Sequence, residues 1–232
     1  MQKGENMKNN IIALVIGFLI LAGSQSMAAS KPSWALFSDT AYTLKEGKWN
    51  VSLIGWANYG LSNKIQIGTN ALLTLFQIPN VYGKYVVVEE SDSAPQISLG
   101  SSIYYPLAAS TPISTDYSVI ISRGIDNGNY ILHGGLKLTA NINDSSQPSS
   151  NPINTPGLGY KAGLITNQSD LTHLFFEAYS NWIPIGRSSE IAVGADFLSE
   201  GRTISFGGLF YAADSSDRRA NILPFANVQW NF

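Results

Sequence analysis

The sequence predicts an all-β protein that folds as a single transmembrane antiparallel up-and-down β-barrel of about 12 strands, with about 10 or about 14 as alternatives. Segments of about ten residues alternate between apolar and polar side chains, and clusters of Gly, Asn, Asp, Ser and Pro separate them. Only 13% of the residues are charged and 11% are aromatic, so a soluble surface would lack charge. Beyond the N-terminal apolar stretch no segment is long enough for a transmembrane helix, and strands can cross lipid only as a closed barrel. A soluble β-sandwich is the alternative.

The N-terminal region has the three parts of a secretory signal peptide. Two lysines precede an apolar stretch at 11–22, and small residues follow around Ala28. The apolar stretch is shorter than the roughly 20 residues of a membrane-spanning helix, which disfavours a retained N-terminal anchor. We therefore expect a signal peptide at 1–29 and the barrel at 30–232. The chain contains no cysteine, which excludes disulfides, Cys-based zinc sites and lipid attachment at the cleavage site.

Each run of alternation is assigned to one strand, in chain order. From residue 47 onward the eleven runs are 47–58, 64–72, 80–89, 95–105, 116–123, 129–140, 158–166, 172–182, 189–198, 202–212 and 222–232. Bacterial single-chain barrels have an even number of strands and both chain ends in the periplasm. A further strand is therefore required, and residues 34–44 are the candidate for it.

The connections between these strands alternate in length. The short ones are 60–63, 91–94, 124–128, 167–170 and 199–201. Longer connections lie between them, and the longest is the polar stretch 142–157. Outer-membrane barrels have short periplasmic turns and longer external loops. The last strand is therefore expected to end at Phe232 on the periplasmic side.

The alternation assigns each strand an apolar outer face and a polar inner face. In 129–140 the residues expected to face lipid are Tyr130, Leu132, Gly134, Leu136 and Leu138. Those expected to face the lumen are His133, Gly135, Lys137 and Thr139. In 189–198 the expected outer residues are Ile191, Val193, Ala195 and Phe197, and the inner ones are Glu190, Gly194 and Asp196. The phase is undefined in 34–44 and in 117–122.

The chain ends in an alternating strand whose apolar face carries Ala226, Val228, Trp230 and Phe232. The terminal Trp230 and Phe232, with this alternation, resemble the C-terminal signal by which Gram-negative outer-membrane β-barrel proteins are recognised by their assembly machinery. The stretch EGKWNVSLIGWANYGLSNKIQIGTN at 46–70 resembles the opening hairpin of small porin-like barrels, including those associated with phenol-degradation pathways. The later stretch PNVYGKY at 79–85 fits the same group.

This resemblance implies export through the inner membrane and insertion into the cell outer membrane. The implied partners are outer-membrane lipid, the barrel assembly machinery during insertion, and small solutes that pass through the barrel. The resemblance implies no catalytic residue. A formal net charge of −2 without a basic stripe argues against nucleic acid as a partner.

Inward-facing charged and histidine side chains are the candidate functional residues of the lumen: Lys84, Lys137, Lys161, Glu177, Asp196, His133 and His173. Counting from the turns places Lys137 and Lys161 roughly opposite each other on neighbouring strands, with Glu177 within about one position of Lys161. Such a cluster would form a constriction that selects solutes by charge. The alternative is a mutually neutralised network that fills the lumen.

Three functions are compatible with this arrangement. The first is a narrow porin or channel for passive passage of small solutes, and the second is a closed structural or partner-binding barrel. The third is an outer-membrane lipid hydrolase, but His133 and His173 are the sole histidines and both are expected to face the lumen instead of the bilayer. The Asp and Asn clusters at 124–129 and 142–147 fit turn chemistry better than calcium binding. We expect no enzyme activity, no cofactor and no metal.

Overall fold

The computed structural model is an all-β, closed antiparallel up-and-down barrel of 12 strands, which confirms the predicted fold class. It describes residues 39–53, 55–107, 113–126, 128–142, 157–169, 171–180, 189–212 and 220–232. The strands are β1 Trp49–Ser52, β2 Trp56–Ser62, β3 Ile65–Asn70, β4 Asn80–Val88, β5 Gln96–Tyr104, β6 Ile113–Ile125, β7 Tyr130–Ile142, β8 Gly157–Ser169, β9 Thr172–Ser180, β10 Ser189–Ser199, β11 Arg202–Ala212 and β12 Ala220–Asn231. The expected signal peptide at 1–29 lies outside the described residues.

The barrel closes where the last strand pairs with the first. Val51 of β1 lies opposite Trp230 of β12 in an antiparallel register. The Trp49 N–H donates to the Phe232 carbonyl at 3.0 Å, and the Phe232 N–H donates back to the Trp49 carbonyl at 2.9 Å. The backbone of Phe232 is therefore paired with β1, so the edge of β12 is covered up to this residue.

The two rims of the barrel differ in the connections that they carry. One rim, which we call the short-turn rim, holds the start of β1, the end of β12 and five strand connections, at 63–64, 89–95, 126–129, 170–171 and 200–201. The opposite rim, the long-loop rim, holds the ends of the strands between which the segments 53–55, 71–79, 105–112, 143–156, 181–188 and 213–219 run in the sequence. Both ends of the barrel sheet thus lie at the rim with the shorter turns, as the sequence predicts.

The strand count is right, but the assignment of the first two strands is wrong. Residues 39–44 belong to no barrel strand, and residues 34–38 lie outside the described part of the chain. The predicted strand 47–58 is instead divided into β1 and β2. The division occurs at Gly55, whose φ of 91° is accessible mainly to glycine and whose N–H donates to the Ser52 carbonyl at 3.0 Å. Side chains alternate between apolar and polar on both sides of this tight turn, so the sequence pattern does not reveal the turn.

The predicted faces are confirmed along the long strands. Leu136 on β7 and Ile191 on β10 point outward and are 58% and 57% exposed. Lys137 and Glu190, their neighbours on the same strands, are buried inside the barrel. The outer wall is therefore an exposed apolar surface, and the charged side chains of these strands lie within.

The interior also contains an apolar layer, which the alternation does not predict. Its buried members are Ala41, Tyr42, Ile120, Ile131, Ile165, Phe175, Tyr179, Ala192 and Leu209. Several of them belong to continuous apolar runs such as 119–121 and 174–176, in which neighbouring residues face opposite sides of the wall. These runs mark strand segments that are apolar on both faces.

One short helix, α1 Ala71–Leu75, follows β3 at the long-loop rim. The Asn70 side chain caps it by accepting the Leu73 N–H at 3.1 Å. Among the residues described, no helix is both long and apolar enough to span a membrane.

Gly60 lies where the chain enters the barrel wall at the short-turn rim. Its N–H donates to the Lys48 carbonyl at 2.9 Å, and its own carbonyl accepts the Gly47 N–H at 2.8 Å. A Cβ added to Gly60 would overlap the carbonyl oxygen of Lys45. We expect Gly60→Ala to lower the free energy of unfolding by about 1–3 kcal/mol, because the backbone must shift to relieve the overlap.

The matched control is Gly83→Ala on β4, where an added Cβ meets no atom within 4 Å. We expect this variant to be neutral or to gain up to about 1 kcal/mol, since alanine restricts the unfolded chain. Urea titration followed by tryptophan fluorescence measures both variants. Equal stability of the two would contradict the close approach at Gly60.

Candidate functional site

Residues 39–44, which we call the plug segment, lie inside the barrel. Thr40 and Ala41 are fully buried, although neither belongs to a strand. The segment contacts inward-facing side chains of β3, β4, β5, β6 and β8, which are drawn from both sides of the lumen. It continues to the short-turn rim, where residues 45–48 connect it to β1. The lumen is thus occupied by a piece of the chain itself.

Polar side chains of the wall hold the backbone of the plug segment at Ala41. The Ala41 carbonyl accepts hydrogen bonds from Ser98 Oγ at 2.5 Å and from Gln96 Nε2 at 3.0 Å. The Ala41 N–H donates to Ser122 Oγ at 2.8 Å. The wall therefore satisfies both backbone groups of a residue that has no strand partner of its own.

Asp39 is the charged anchor of the plug segment. Its carboxylate accepts a hydrogen bond from Tyr82 Oη at 2.6 Å and lies 3.3 Å from Lys161 Nζ and 4.0 Å from Lys84 Nζ. Lys161 also donates to the Asp39 backbone carbonyl. The Tyr82 ring is oriented by an edge-on contact with Trp56, with the ring centroids 6.5 Å apart. Two lysines from β4 and β8 therefore converge on one carboxylate.

The charge of Asp39 follows from these contacts. Burial raises the pKa of the carboxyl group, because a charged group loses its hydration. The positive charges of Lys161 and Lys84 and the hydrogen bond from Tyr82 outweigh burial, so the pKa of Asp39 lies below its ordinary value. Asp39 is therefore ionised at neutral pH, and the centre of the lumen holds a carboxylate between two ammonium groups.

Lys84 also binds the backbone of the plug segment. Its Nζ donates to the Thr40 carbonyl at 2.9 Å and to the Tyr42 carbonyl at 2.5 Å. Closer to the short-turn rim, Tyr42 Oη donates to Glu90 Oε2 at 2.8 Å. The other oxygen of Glu90 accepts the Gly124 N–H at 2.7 Å, which links the plug segment to β6. The plug segment is thus bound to the barrel wall both at Asp39 and at Tyr42, which lies closer to the short-turn rim.

A second buried group surrounds Glu177 on β9. Glu177 Oε1 lies 3.4 Å from His133 Nε2, and Glu177 Oε2 accepts a hydrogen bond from Tyr179 Oη. The His133 ring passes over Gly163 of β8 to approach Glu177. A Cβ at position 163 would overlap this ring, so glycine is needed there. Ser122 lies directly opposite His133 in the β6–β7 register, but its Oγ is bonded to the plug segment.

The predicted opposition of Lys137 and Lys161 is wrong by two positions. Lys137 lies opposite Gly159, and Lys161 lies opposite Gly135. The two lysines have different acidic partners, since Lys137 Nζ is 3.7 Å from Asp116 Oδ2 whereas Lys161 binds Asp39. The register of β7 and β8, in which Thr139 lies opposite Gly157, sets the positions of the two lysines, and composition alone does not fix that register.

All seven predicted lumen residues are buried, but they form separate groups. Lys84 and Lys161 share Asp39, and His133 accompanies Glu177. Asp196 and His173 are opposite one another in the β9–β10 register, away from the lysines. The alternation therefore identifies the buried ionisable residues and leaves their partners undetermined.

The residues missed by the sequence analysis are those that hold the plug segment. The central ones are Asp39, Tyr82, Gln96, Ser98 and Ser122. Asp39 lies in 34–44, which the sequence predicts to be a strand, and the undefined phase of that stretch is the signal against the prediction. The inward phase of Ser98 is predictable, whereas its bond to Ala41 is not.

None of the described residues forms a group of three His, Asp or Glu side chains arranged to hold a metal ion. No protein-family model and no curated protein matches the chain. The fold and the contacts within the lumen therefore carry the functional argument.

Proposed function

We propose that the protein is an outer-membrane β-barrel of the porin-like class that passes small solutes, and that the plug segment closes its lumen in this state. The observation that carries the proposal is the plug segment itself, which lies in the lumen and is held there by side chains of the wall. Water and ions can replace these hydrogen bonds and ion pairs when the segment moves, whereas the apolar packing around Ala41 and Tyr42 must be given up.

Location in the outer membrane is supported by the outward face of the wall. Leu99, Leu136 and Ile191 are among many apolar side chains exposed on it, and acyl chains of lipid would cover such a surface. The terminal Trp230 and Phe232 support recognition by the barrel assembly machinery, because they resemble its C-terminal signal and lie at the end of the strand that closes the barrel against β1. A barrel inserted in this way has its short-turn rim in the periplasm.

Conductance in planar lipid bilayers tests the channel. We expect wild-type protein to be closed for most of the time and Lys84→Met to open at least about tenfold more often, because the variant loses two charge-assisted bonds to the plug segment. The matched control is Lys64→Met, which removes an exposed lysine paired with Glu89 at the short-turn rim. Heat-modifiable migration on gels confirms that each preparation contains inserted barrel.

A closed structural barrel is the second candidate, and the inner apolar layer favours it. Ile120, Ile165 and Phe175 are fully buried inside the wall, where a wide aqueous channel would have polar side chains. If neither wild type nor Lys84→Met conducts while both migrate as folded barrels, the channel proposal fails and the closed barrel is the better conclusion.

Lipid hydrolysis has less support than either. His133 and His173 face the lumen, whereas a site for bilayer lipid needs access from the outer wall. Ser122, which lies opposite His133, already accepts a hydrogen bond from the plug segment. We propose that the protein has no hydrolase activity, and incubation of purified protein with phospholipid vesicles tests this directly by release of fatty acid.

A further inference from the structure

The anchor of the plug segment has the composition of a ligand site. Tyr82, Lys84 and Lys161 belong to the barrel wall, whereas the carboxylate that they contact belongs to Asp39 of a segment outside every strand. Both lysine side chains are fully buried. The wall therefore provides two ammonium groups and a hydroxyl donor, and the plug segment provides the anion.

Withdrawal of the plug segment would take the Asp39 carboxylate away from both lysines, and the charge of Glu177 on β9 would continue to act on Lys161. A buried ammonium group is costly unless a counter-charge and hydrogen-bond acceptors accompany it. A solute carboxylate that reaches the same position restores the ion pairs to Lys84 and Lys161 and the hydrogen bond from Tyr82. The state without the plug segment consequently favours carboxylate solutes over neutral ones of the same size.

We propose that Tyr82, Lys84 and Lys161 form a carboxylate-binding site in the lumen, which Asp39 occupies in the closed state and a small carboxylate solute occupies when the plug segment withdraws. Asp39 acts here as an internal competitor of the solute. The proposal rests on the channel proposed above and names the chemical class of its solute.

Neighbouring side chains extend the site beyond the carboxylate. Ser98 and Gln96 donate to the Ala41 carbonyl, and Ser122 accepts the Ala41 N–H. These groups contact the plug segment at Ala41, two residues from Asp39, so they would meet the part of a solute next to its carboxylate. A solute with a hydroxyl or amino group next to its carboxylate could form hydrogen bonds with these side chains, whereas a solute with a plain alkyl chain could not.

Chemical rescue of Asp39→Ala tests the site in the full-length protein without any need for conductance. The variant removes the internal carboxylate and leaves space for an added one. We expect sodium acetate to raise the melting temperature of Asp39→Ala in a saturable manner, by about 3 °C more than sodium chloride at equal ionic strength. If the variant fails to fold in chloride, the readout is the yield of heat-modifiable barrel on refolding, which acetate should increase.

Two controls separate a site from a general salt effect. Asp196→Ala removes a different buried inward carboxylate, which lies opposite His173 instead of a lysine, and acetate should not rescue it. Asp39→Ala combined with Lys161→Met should lose the rescue, because one ammonium of the site is gone. Acetate that acts no better than chloride, or that stabilises the wild type and both single variants equally, overturns the proposal.

The outcome is independent of the channel test. Rescue without conductance leaves the carboxylate site standing in a closed barrel and removes the channel. Conductance through Lys84→Met without rescue of Asp39→Ala leaves the channel standing and removes the carboxylate site.

Discussion

We expect the Lys161→Met variant to have a free energy of unfolding about 3–5 kcal/mol below that of the wild type. The Nζ of Lys161 lies 3.3 Å from Asp39 Oδ1 and also donates to the Asp39 backbone carbonyl. Methionine keeps the length of the side chain but removes the charge and the donors. The Asp39 carboxylate then stays buried with Lys84 as its remaining cation, at 4.0 Å. Urea titration in lipid vesicles, followed by tryptophan fluorescence, measures the loss.

Lys64→Met is the matched control for this loss. The Lys64 side chain lies 2.9 Å from Glu89 in an ion pair in which both side chains are more than half exposed. Exposed pairs contribute little, so we expect a change within about 0.5 kcal/mol. A result in which Lys161→Met costs no more than Lys64→Met would contradict the role of Lys161 as an anchor.

A double variant separates the ion pair from general damage to the packing. Asp39→Asn removes the carboxylate charge while it preserves the shape of the side chain. Because Lys161→Met leaves that charge poorly compensated, we expect Asp39→Asn with Lys161→Met to be more stable than the sum of the single losses implies, by about 0.5–3 kcal/mol. Additive losses would mean that the two side chains are not coupled.

The outer wall is predictable from sequence because one physical rule acts at every position. Side chains on a strand alternate between two faces, and the outer face must be apolar if it contacts lipid. Leu132, Leu136 and Leu138 follow the rule and lie outward. The even strand count follows from closure in which every neighbouring pair is antiparallel, including β1 with β12, so both ends of the sheet lie at one rim.

The contents of the lumen obey no such rule. Asp39 and Lys161 are 122 residues apart in the chain, and Ala41 and Ser122 are 81 apart. Contacts over such separations depend on where each strand begins and on its register with its neighbours, which for β7 and β8 differs by two residues from the predicted register. The alternation assigns a residue to the inner face, but the partner across the lumen is decided by register and by the path of a segment without a strand pattern.

The inner apolar layer is predictable from the sequence only in part. A run such as 119–121 has no polar member, so the sequence alone indicates that both faces are apolar there without identifying what covers the inner one. The structure supplies the cover, because Ile120 packs with Ala41 and Tyr42 of the plug segment in one buried cluster. Charge anchors the plug segment at one end, and apolar packing surrounds its middle.

Phe175→Ala tests that packing, and we expect it to cost about 3–5 kcal/mol. Phe175 is fully buried within the inner apolar layer, and its ring contacts His173 edge-on with centroids 6.3 Å apart. Truncation removes the transfer free energy of the ring and leaves a cavity that the rigid wall cannot close. Phe175→Leu preserves most of the volume and should cost less than about 1.5 kcal/mol.

The neighbouring Phe176 provides the decisive comparison, because it lies on the outer face and is 47% exposed. Phe176→Ala loses transfer free energy alone, at most about 1.5–3 kcal/mol, since the ring lies on the outer surface and leaves no enclosed cavity. Phe175→Ala must therefore cost more than Phe176→Ala under the same conditions of urea titration. If the two cost the same, Phe175 does not occupy a packed interior, and the apolar layer cannot contribute to the closed state of the lumen.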